Sequence, residues 1–190
     1  MLSRENCMQE DNLRANFIHL DGKTFGRIFE CVVSRLDNYS KAENNSHDRF
    51  CKSSSKRIEV KSTRVFSSYE KINENNMVEL LLNNKTSKTL LHDYQKESSE
   101  WNCGICQVKT DCFDFLYYCA VFHDKIYIFK ITPEQILADK KLAYSKKQHR
   151  NGNMGQFHLS EATIRHHLDT YLHRTLNYKQ LIAVLKYNPN

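Results

Sequence analysis

The segment RIEVKSTR, residues 57–64, alternates apolar and polar side chains in the way that an extended strand requires. Successive side chains of a strand point to opposite faces, so Ile58 and Val60 share one face while Glu59 and Lys61 share the other. The apolar face predicts packing against a core. The charged face has two interpretations, which are an ion pair on a half-exposed strand or side chains that line a functional site.

Helical periodicity precedes this strand, and further strand patterns follow it. Six apolar residues form the stripe of an amphipathic helix: Phe25, Ile28, Phe29, Val32, Val33 and Leu36. Residues 101–110 (WNCGICQVKT) and 125–131 (KIYIFKI) favour strands, and a short strand is expected at residues 48–51. Between the two longer segments, Asp111 is placed to cap a helix through CFDFLYYCAVF, residues 112–122.

The remaining segments complete this outline. Ser160 is expected to cap a helix whose inward residues are Ile164, Leu168, Tyr171 and Leu172. On that helix His166 and His173 fall opposite the apolar stripe, which predicts that both are solvated. Residues 177–187 predict a last helix. Residues 73–94 fit a helix and surface hairpins equally well.

The order of these elements predicts an α/β or α+β fold with a mixed central β-sheet flanked by helices. A chain of 190 residues suits one domain, residues 1–190. Within it, residues 1–22 are expected to form a polar N-terminal arm or a short helix. Residues 140–190 are expected to add a basic loop and C-terminal helices.

Composition narrows the classes of function. An apolar fraction of 40% fits a folded globular protein, and a net charge of +6 permits a polyanionic partner. The sequence has no long apolar run near its first residue and no segment of membrane-spanning length, so a cytoplasmic protein with reduced thiols and no membrane partner is expected. Cys103 and Cys106 form a pair without a second pair at zinc-site spacing, so we interpret them as buried structural cysteines.

The acids and the lysine around residues 48–61 have the composition of a magnesium site. Mg²⁺ takes oxygen ligands and keeps several waters, so one or two carboxylates and a phosphate oxygen suffice. Asp48 and Glu59 supply carboxylates, and the Val60 carbonyl is a third candidate ligand. Lys61 lies about 7 Å along the strand from Glu59, where it is placed to contact an attacking water and a phosphate. A bound metal lowers the pKa of its water and offsets charge in the transition state.

These residues resemble the PD-(D/E)xK core of type II restriction endonucleases and related nucleases. Asp48 followed by EVK at residues 59–61 matches the motif, although His47 stands where the family has proline, so Asp37 and Glu43 remain alternatives for the first ligand.

The resemblance extends beyond the motif over roughly residues 23–131. Gln107 and Lys109 share one face of what is expected to be the neighbouring strand, similar to the Gln-x-Lys strand that several restriction enzymes of this fold have beside their site. Glu30 corresponds to a helix glutamate that members often present to the metal. The resemblance therefore implies a restriction-endonuclease-like core with Gln107 and Lys109 as further catalytic residues and Glu30 as a further metal ligand.

The expected function is Mg²⁺-dependent hydrolysis of double-stranded DNA at a specific site. Cutting both strands of a palindrome predicts a homodimer, and the short chain also fits a small catalytic subunit with a larger DNA-recognising partner. The loop SKKQHRNGNMGQ, residues 145–156, is the candidate DNA contact through these residues: Lys146, Lys147, His149, Arg150, Asn151 and Asn153. The alternatives are a non-catalytic DNA-binding or structural protein with the same fold, and a repair or mobile-element nuclease with the same chemistry.

Overall fold

The computed structural model describes residues 4–43, 46–67, 74–82, 89–146 and 154–187. The helices are α1 (Arg4–His19), α2 (Gly22–Asp37), α3 (Met77–Leu82), α4 (Pro133–Ala138), α5 (Ile164–Tyr171) and α6 (Tyr178–Lys186). The strands are β1 (Ser40–Lys41), β2 (Arg49–Cys51), β3 (Lys56–Arg64), β4 (Asn102–Val108), β5 (Phe115–Val121), β6 (Ile126–Ile131), β7 (Gly155–Ser160) and β8 (Leu172–Leu176). Short 3₁₀ turns span Asp93–Gln95 and Lys140–Leu142.

The central sheet is mixed, and this confirms the coarse class expected from the sequence. Its strands lie in the order β1-β2-β3-β5-β6-β8. Strands β3 and β5 are parallel at its centre, while the other neighbours are antiparallel. The chain between β3 and β5 contains β4, which pairs with β7 in a separate antiparallel ladder. Among the described residues, no helix has the length and apolar character needed to span a bilayer.

Two layers cover the central sheet, one on each face. On one face, the apolar face of β3 packs with α1, α2 and α6 through residues that include Phe17, Phe29, Ile58, Val60 and Leu181. On the other face, residues of β5 and β6 pack with the β4–β7 ladder and α5. Because Glu59 is opposite Leu116 in the parallel register, and neighbours across a register share a face, the charged face of β3 lies on the ladder side.

Helix α2 forms where the apolar stripe predicts it. The Asp21 carboxylate caps its first turn by accepting hydrogen bonds from the backbone N–H groups of Lys23 and Thr24 at 2.9 Å. The helix ends at Asn38, whose φ of 56° lies in the left-handed region that an asparagine tolerates. The stripe is buried against β3, which orients the opposite helix face, with Glu30, toward β2.

The predicted helix over residues 112–122 is wrong, because this segment forms strand β5, Phe115–Val121. From Leu116 onward every residue of β5 is buried, since the strand lies at the centre of the sheet with layers on both faces. A strand buried on both faces has no alternation of apolar and polar residues, and its apolar run resembles that of a buried helix. The expectation that Gln107 and Lys109 lie on a neighbouring strand of the same sheet is also wrong, because β4 belongs to the separate ladder.

Two other expectations are resolved at the ends of the chain. The polar N-terminal segment contains a helix of 16 residues, α1, which buries Phe17 completely. Near the C-terminus, α5 ends at Tyr171, and Leu172 begins β8 with 42% of its surface exposed, so Leu172 is not an inward helix residue. Neither His166 nor His173 is fully solvated, because each forms a hydrogen bond with a carboxylate, that of Asp139 and that of Asp37 respectively.

The ambiguous segment, residues 73–94, is helical in two of its described parts. Residues Met77–Leu82 form α3, and a 3₁₀ turn begins at Asp93. Residues 83–88 lie outside the described part of the chain.

Arg64 contributes a charged contact that helps to hold helix α1 to the sheet. Arg64, the last residue of β3, donates from Nη1 to the backbone carbonyls of Phe17, Ile18 and Leu20 at 2.9, 3.1 and 2.7 Å. These are carbonyls at the end of α1, where no further helical N–H group is present to bind them. Its guanidinium also lies 4.8 Å from the centre of the Phe25 ring.

Replacing Arg64 by methionine should therefore loosen α1 and destabilise the protein. The substitution keeps an apolar side chain but leaves three carbonyls without their charged donor, so we expect a loss of about 2–3 kcal/mol in the free energy of unfolding. Urea denaturation measures it. Arg165→Met is the matched control, because Arg165 pairs only with Asp169 on an exposed helix face and should change stability by less than about 0.5 kcal/mol. Equal effects of the two substitutions would contradict this account.

Candidate active-site cleft

Asp48 is fixed against β3 by two hydrogen bonds. Its backbone N–H donates to the carbonyl of Ile58 at 3.0 Å, and its Oδ2 accepts from the backbone N–H of Val60 at 2.8 Å. The β2–β3 pairing ends at Arg49 and Ile58, so the Asp48 carboxylate continues the ladder in place of a backbone carbonyl. Its second oxygen, Oδ1, has no hydrogen-bond partner among the described residues.

The same geometry orients the Val60 carbonyl. The N–H and C=O groups of one residue point to the same edge of a strand, and the Val60 N–H points to Asp48. The carbonyl therefore also faces the β2 edge rather than β5. This places the predicted third ligand on the side of the strand where Asp48 lies.

Glu59 and Lys61 form a direct, mostly buried ion pair. Lys61 Nζ lies 2.5 Å from Glu59 Oε1. The Lys61 side chain is only 23% exposed, and the Glu59 side chain is only 15% exposed. Burial raises the pKa of Glu59, Lys61 opposes that change, and the charge of Asp48 adds to it. Because the folded-state pKa lies above the unfolded value, the contribution of Glu59 to stability is present at low pH and is lost as the pH rises through the folded-state pKa.

A β-bulge in β4 directs Gln107 and Lys109 toward this pair. The β4–β7 register shifts between Ile105 and Val108, and Gln107 has a φ of 58° although it is not glycine. Cys103 and Ile105 are buried before the bulge, and Val108 is the buried residue after it. Gln107 and Lys109, on either side of Val108, therefore share the opposite face. Bulges and left-handed backbone at a non-glycine residue are frequent beside active sites, where they redirect a side chain.

The structure brings these side chains together in one cleft of about 140 Å³. The residues predicted from the sequence that line it are Asp48, Glu59, Lys61, Gln107 and Lys109. The lining that the sequence analysis did not identify comprises Ser46, His47, Cys112, Phe113 and Met154. In the sequence, His47 is adjacent to Asp48 and Cys112 is adjacent to Asp111. No other feature of the sequence indicates that either residue lines the cleft.

Glu30 is not in this cleft. Its carboxylate pairs with Arg49, with Oε2 at 3.2 Å from Nη2, and it lines an adjacent cleft of about 540 Å³ that also contains Arg27, Lys41 and Asp48. Asp48 thus borders both clefts. Burial raises the pKa of Glu30, the Asp48 charge adds to the rise, and Arg49 opposes it.

The predicted DNA-binding loop is described only at its ends. Lys146 is exposed at its beginning, and Met154 at its end lines the cleft. Lys147, His149, Arg150, Asn151 and Asn153 lie outside the described residues. Of the two described ends of the loop, the end at Met154 therefore lies beside the candidate site.

The cleft offers oxygen ligands to a metal but no closed cage. Asp48 Oδ1 and Glu59 Oε2 have no hydrogen-bond partner among the described residues, and the Val60 carbonyl faces the same edge as Asp48. In the described part of the chain, the carboxylate oxygens of Asp48, Glu59 and Glu30 do not all lie within 4.8 Å of one another. Two carboxylates and water-filled remaining positions are the arrangement that Mg²⁺ accepts.

Comparison of the chain with protein-family models, with curated proteins and with solved structures found no match.

Two substitutions should move the pKa of Glu59 in opposite directions. Lys61→Met removes the charge that favours ionised Glu59, so we expect the pKa to rise further. Asp48→Asn removes a like charge, so we expect it to fall. Carboxyl-carbon NMR titration measures both, with Asp169→Asn as a distant, exposed control. If neither substitution changes the pKa of Glu59, then Asp48, Glu59 and Lys61 do not share one electrostatic environment.

Proposed function

We propose that the protein is a Mg²⁺-dependent endonuclease that hydrolyses DNA phosphodiester bonds, with a restriction-endonuclease-like core. The observation that supports this most strongly is the convergence of Asp48, Glu59, Lys61, Gln107 and Lys109 in one cleft. These residues come from the segment before β2, from β3 and from the end of β4, so the fold brings together side chains that are distant in sequence.

Asp48 and Glu59 are the residues that would hold the metal, together with the Val60 carbonyl. When bound, Mg²⁺ supplies a water of lowered pKa and a positive charge beside the scissile phosphate. The hydrogen bond from Val60 to Asp48 Oδ2 fixes the orientation of that carboxylate, so its Oδ1 would serve as the ligand. The raised pKa of Glu59 fits a carboxylate that a bound cation would help to keep ionised in a buried place.

Lys61 has two alternative roles that depend on the metal. In the structure it neutralises Glu59 at 2.5 Å. With a metal on Glu59, Lys61 would be free to orient the attacking water and to contact a phosphate oxygen. Lys109 and Gln107 on the opposite side of the cleft would contact the phosphate from the ladder side, with Lys109 contributing positive charge to the transition state.

The surroundings of the cleft fit a polyanionic substrate. The adjacent cleft presents Arg27, Lys41 and Arg49, and the basic loop begins with exposed Lys146. The adjacent cleft shares Asp48 with the candidate site, so a DNA backbone that enters the site would meet positive charge on that side. The proposed substrate is double-stranded DNA in the cytoplasm. The proposed protein partner is either a second copy of the chain, in a homodimer, or a larger recognition subunit.

A non-catalytic DNA-binding protein with the same fold is the second candidate, and one observation favours it. Lys61 contacts Glu59 directly at 2.5 Å, as it would in a purely structural ion pair. Such a pair tolerates joint replacement by apolar residues of similar size.

Cleavage assays with the purified protein, plasmid DNA and Mg²⁺ separate the two candidates. We expect cleavage in the wild type and a fall of about 10²–10³-fold in Glu59→Ala and in Lys61→Ala, because each removes stabilisation of the transition state. Glu134→Ala and Lys179→Ala are matched controls on exposed helix positions and should cut normally. Discrete fragments indicate a restriction enzyme, and nicking alone indicates a missing partner subunit.

Unchanged cleavage in Glu59→Ala would overturn the assignment of the site. Absence of cleavage in the wild type, combined with normal DNA binding by the Glu59→Met/Lys61→Met double variant, would favour the non-catalytic protein instead.

A further inference from the structure

A second group of potential ligands lies at the opposite end of the central sheet. His123 and Asp124 form the turn between β5 and β6, and His92 lies just before the 3₁₀ turn at Asp93. Leu116 of β5 lies opposite Glu59, and His123 follows Leu116 by seven residues. At the rise of a strand, this separation places the group roughly 20 Å from the cleft. The group is therefore separate from the candidate active site.

The three side chains come from two segments of the chain, His92 from one and the consecutive residues His123 and Asp124 from the other. Each offers one ligand atom, and these atoms all lie within 4.8 Å of one another. The two imidazole rings are 3.9 Å apart between centroids, and His92 Nδ1 lies 3.9 Å from Asp124 Oδ1. Ligand atoms around one tetrahedral ion are somewhat closer together than this, so small side-chain rotations would complete the geometry.

His123 contributes a buried ring nitrogen to this group. His123 Nδ1 is shielded from solvent and has no hydrogen-bond partner among the described residues. Most buried polar atoms have a partner, and an exception calls for an explanation such as an ion or a water. The lone pair of a neutral imidazole nitrogen is what a transition-metal ion accepts.

Backbone contacts hold the segments of the group together. His123 donates its N–H to the carbonyl of Leu91 at 2.8 Å, and the N–H of Asp93 donates to Asp124 Oδ1 at 2.8 Å. Asp93 is also bound by Lys125 Nζ at 2.6 Å, which ties it to β6. The ligands are thus positioned before any ion binds, which lowers the entropic cost of binding.

We infer that His92, His123 and Asp124 form a binding site for a transition-metal ion, with Zn²⁺ the best-suited ion. Two imidazoles and one carboxylate are a three-ligand set that zinc uses, with water in the fourth position. The half-exposed side chains of His92 and Asp124 leave that position open to solvent. Nitrogen ligands also separate this site from the oxygen-lined cleft, which suits Mg²⁺.

Occupation of this site would join two parts of the chain. His92 belongs to the long connection between β3 and β5, while His123 and Asp124 belong to the β5–β6 turn. Arg14 of α1 donates to the carbonyl of His123 at 2.9 Å, so the ion would also stabilise the place where α1 is docked. The site is thus expected to act as a structural clamp, and the inference does not depend on nuclease activity.

Zinc titration of the metal-stripped full-length chain, by calorimetry and by thermal melting without DNA, tests this inference. We expect one Zn²⁺ per chain and a rise in melting temperature with zinc concentration, since the ion binds the folded state. His92→Ala should weaken binding by about tenfold or more, because even the loss of a residue that only orients a ligand costs that much. Asp124→Asn keeps an acceptor for the Asp93 N–H, so its weaker zinc binding would not reflect misfolding.

Two controls isolate the site. His19→Ala removes an exposed histidine at the end of α1, and Glu59→Ala removes the cleft ligand; both should bind zinc like the wild type. With Co²⁺ we expect visible absorption bands without a thiolate charge-transfer band. Absence of zinc binding, zinc binding undiminished in His92→Ala and Asp124→Asn, or a thiolate band that assigns the ion to the cysteines would overturn the inference.

Discussion

The parallel pairing of β3 with β5 is the constraint on which the rest of the structure depends. Parallel neighbours need a crossover connection, because the chain must return to the same end of the sheet before the second strand begins. Here the connection contains β4, which lies over the sheet on the side where Glu59 and Lys61 point. The ladder that β4 forms with β7 turns an exposed charged face into one side of a cleft.

That burial has an energetic consequence for the two acids of the cleft and for Lys61. A carboxylate removed from water is unfavourable unless it is paired, and Glu59 is paired by Lys61 at 2.5 Å. Asp48 adds a like charge close by, which contributes to the raised pKa of Glu59. A cation between Asp48 and Glu59 would relieve both effects, so the resting ion pair and the proposed metal site are two states of the same residues. At the other end of the sheet, the proposed site combines two histidine nitrogens with one carboxylate, a ligand set that suits a different metal.

Local patterns in the sequence predicted the parts of this site that depend on periodicity. The alternation of residues 57–64 placed Glu59 and Lys61 on one face, and the stripe of α2 fixed its buried side. The run at residues 115–121 gave a wrong helix because a strand buried on both faces has no alternation. The bulge at Gln107 had a faint signal, since the apolar phase moves from Cys103 and Ile105 to Val108. The Glu30–Arg49 pair and the cluster at His92 had none, because they depend on contacts between distant segments.

Diffraction from crystals soaked with Mn²⁺, a substitute for Mg²⁺ that is visible by its anomalous scattering, tests the central claim most directly. The account predicts an anomalous peak in the cleft, about 2.1 Å from carboxylate oxygens of both Asp48 and Glu59, with Lys61 displaced from Glu59. The peak should vanish in Glu59→Ala crystals soaked in the same way. A cleft without a peak, with Lys61 still bound to Glu59 at saturating Mn²⁺, would show that the pair is structural and would contradict the account.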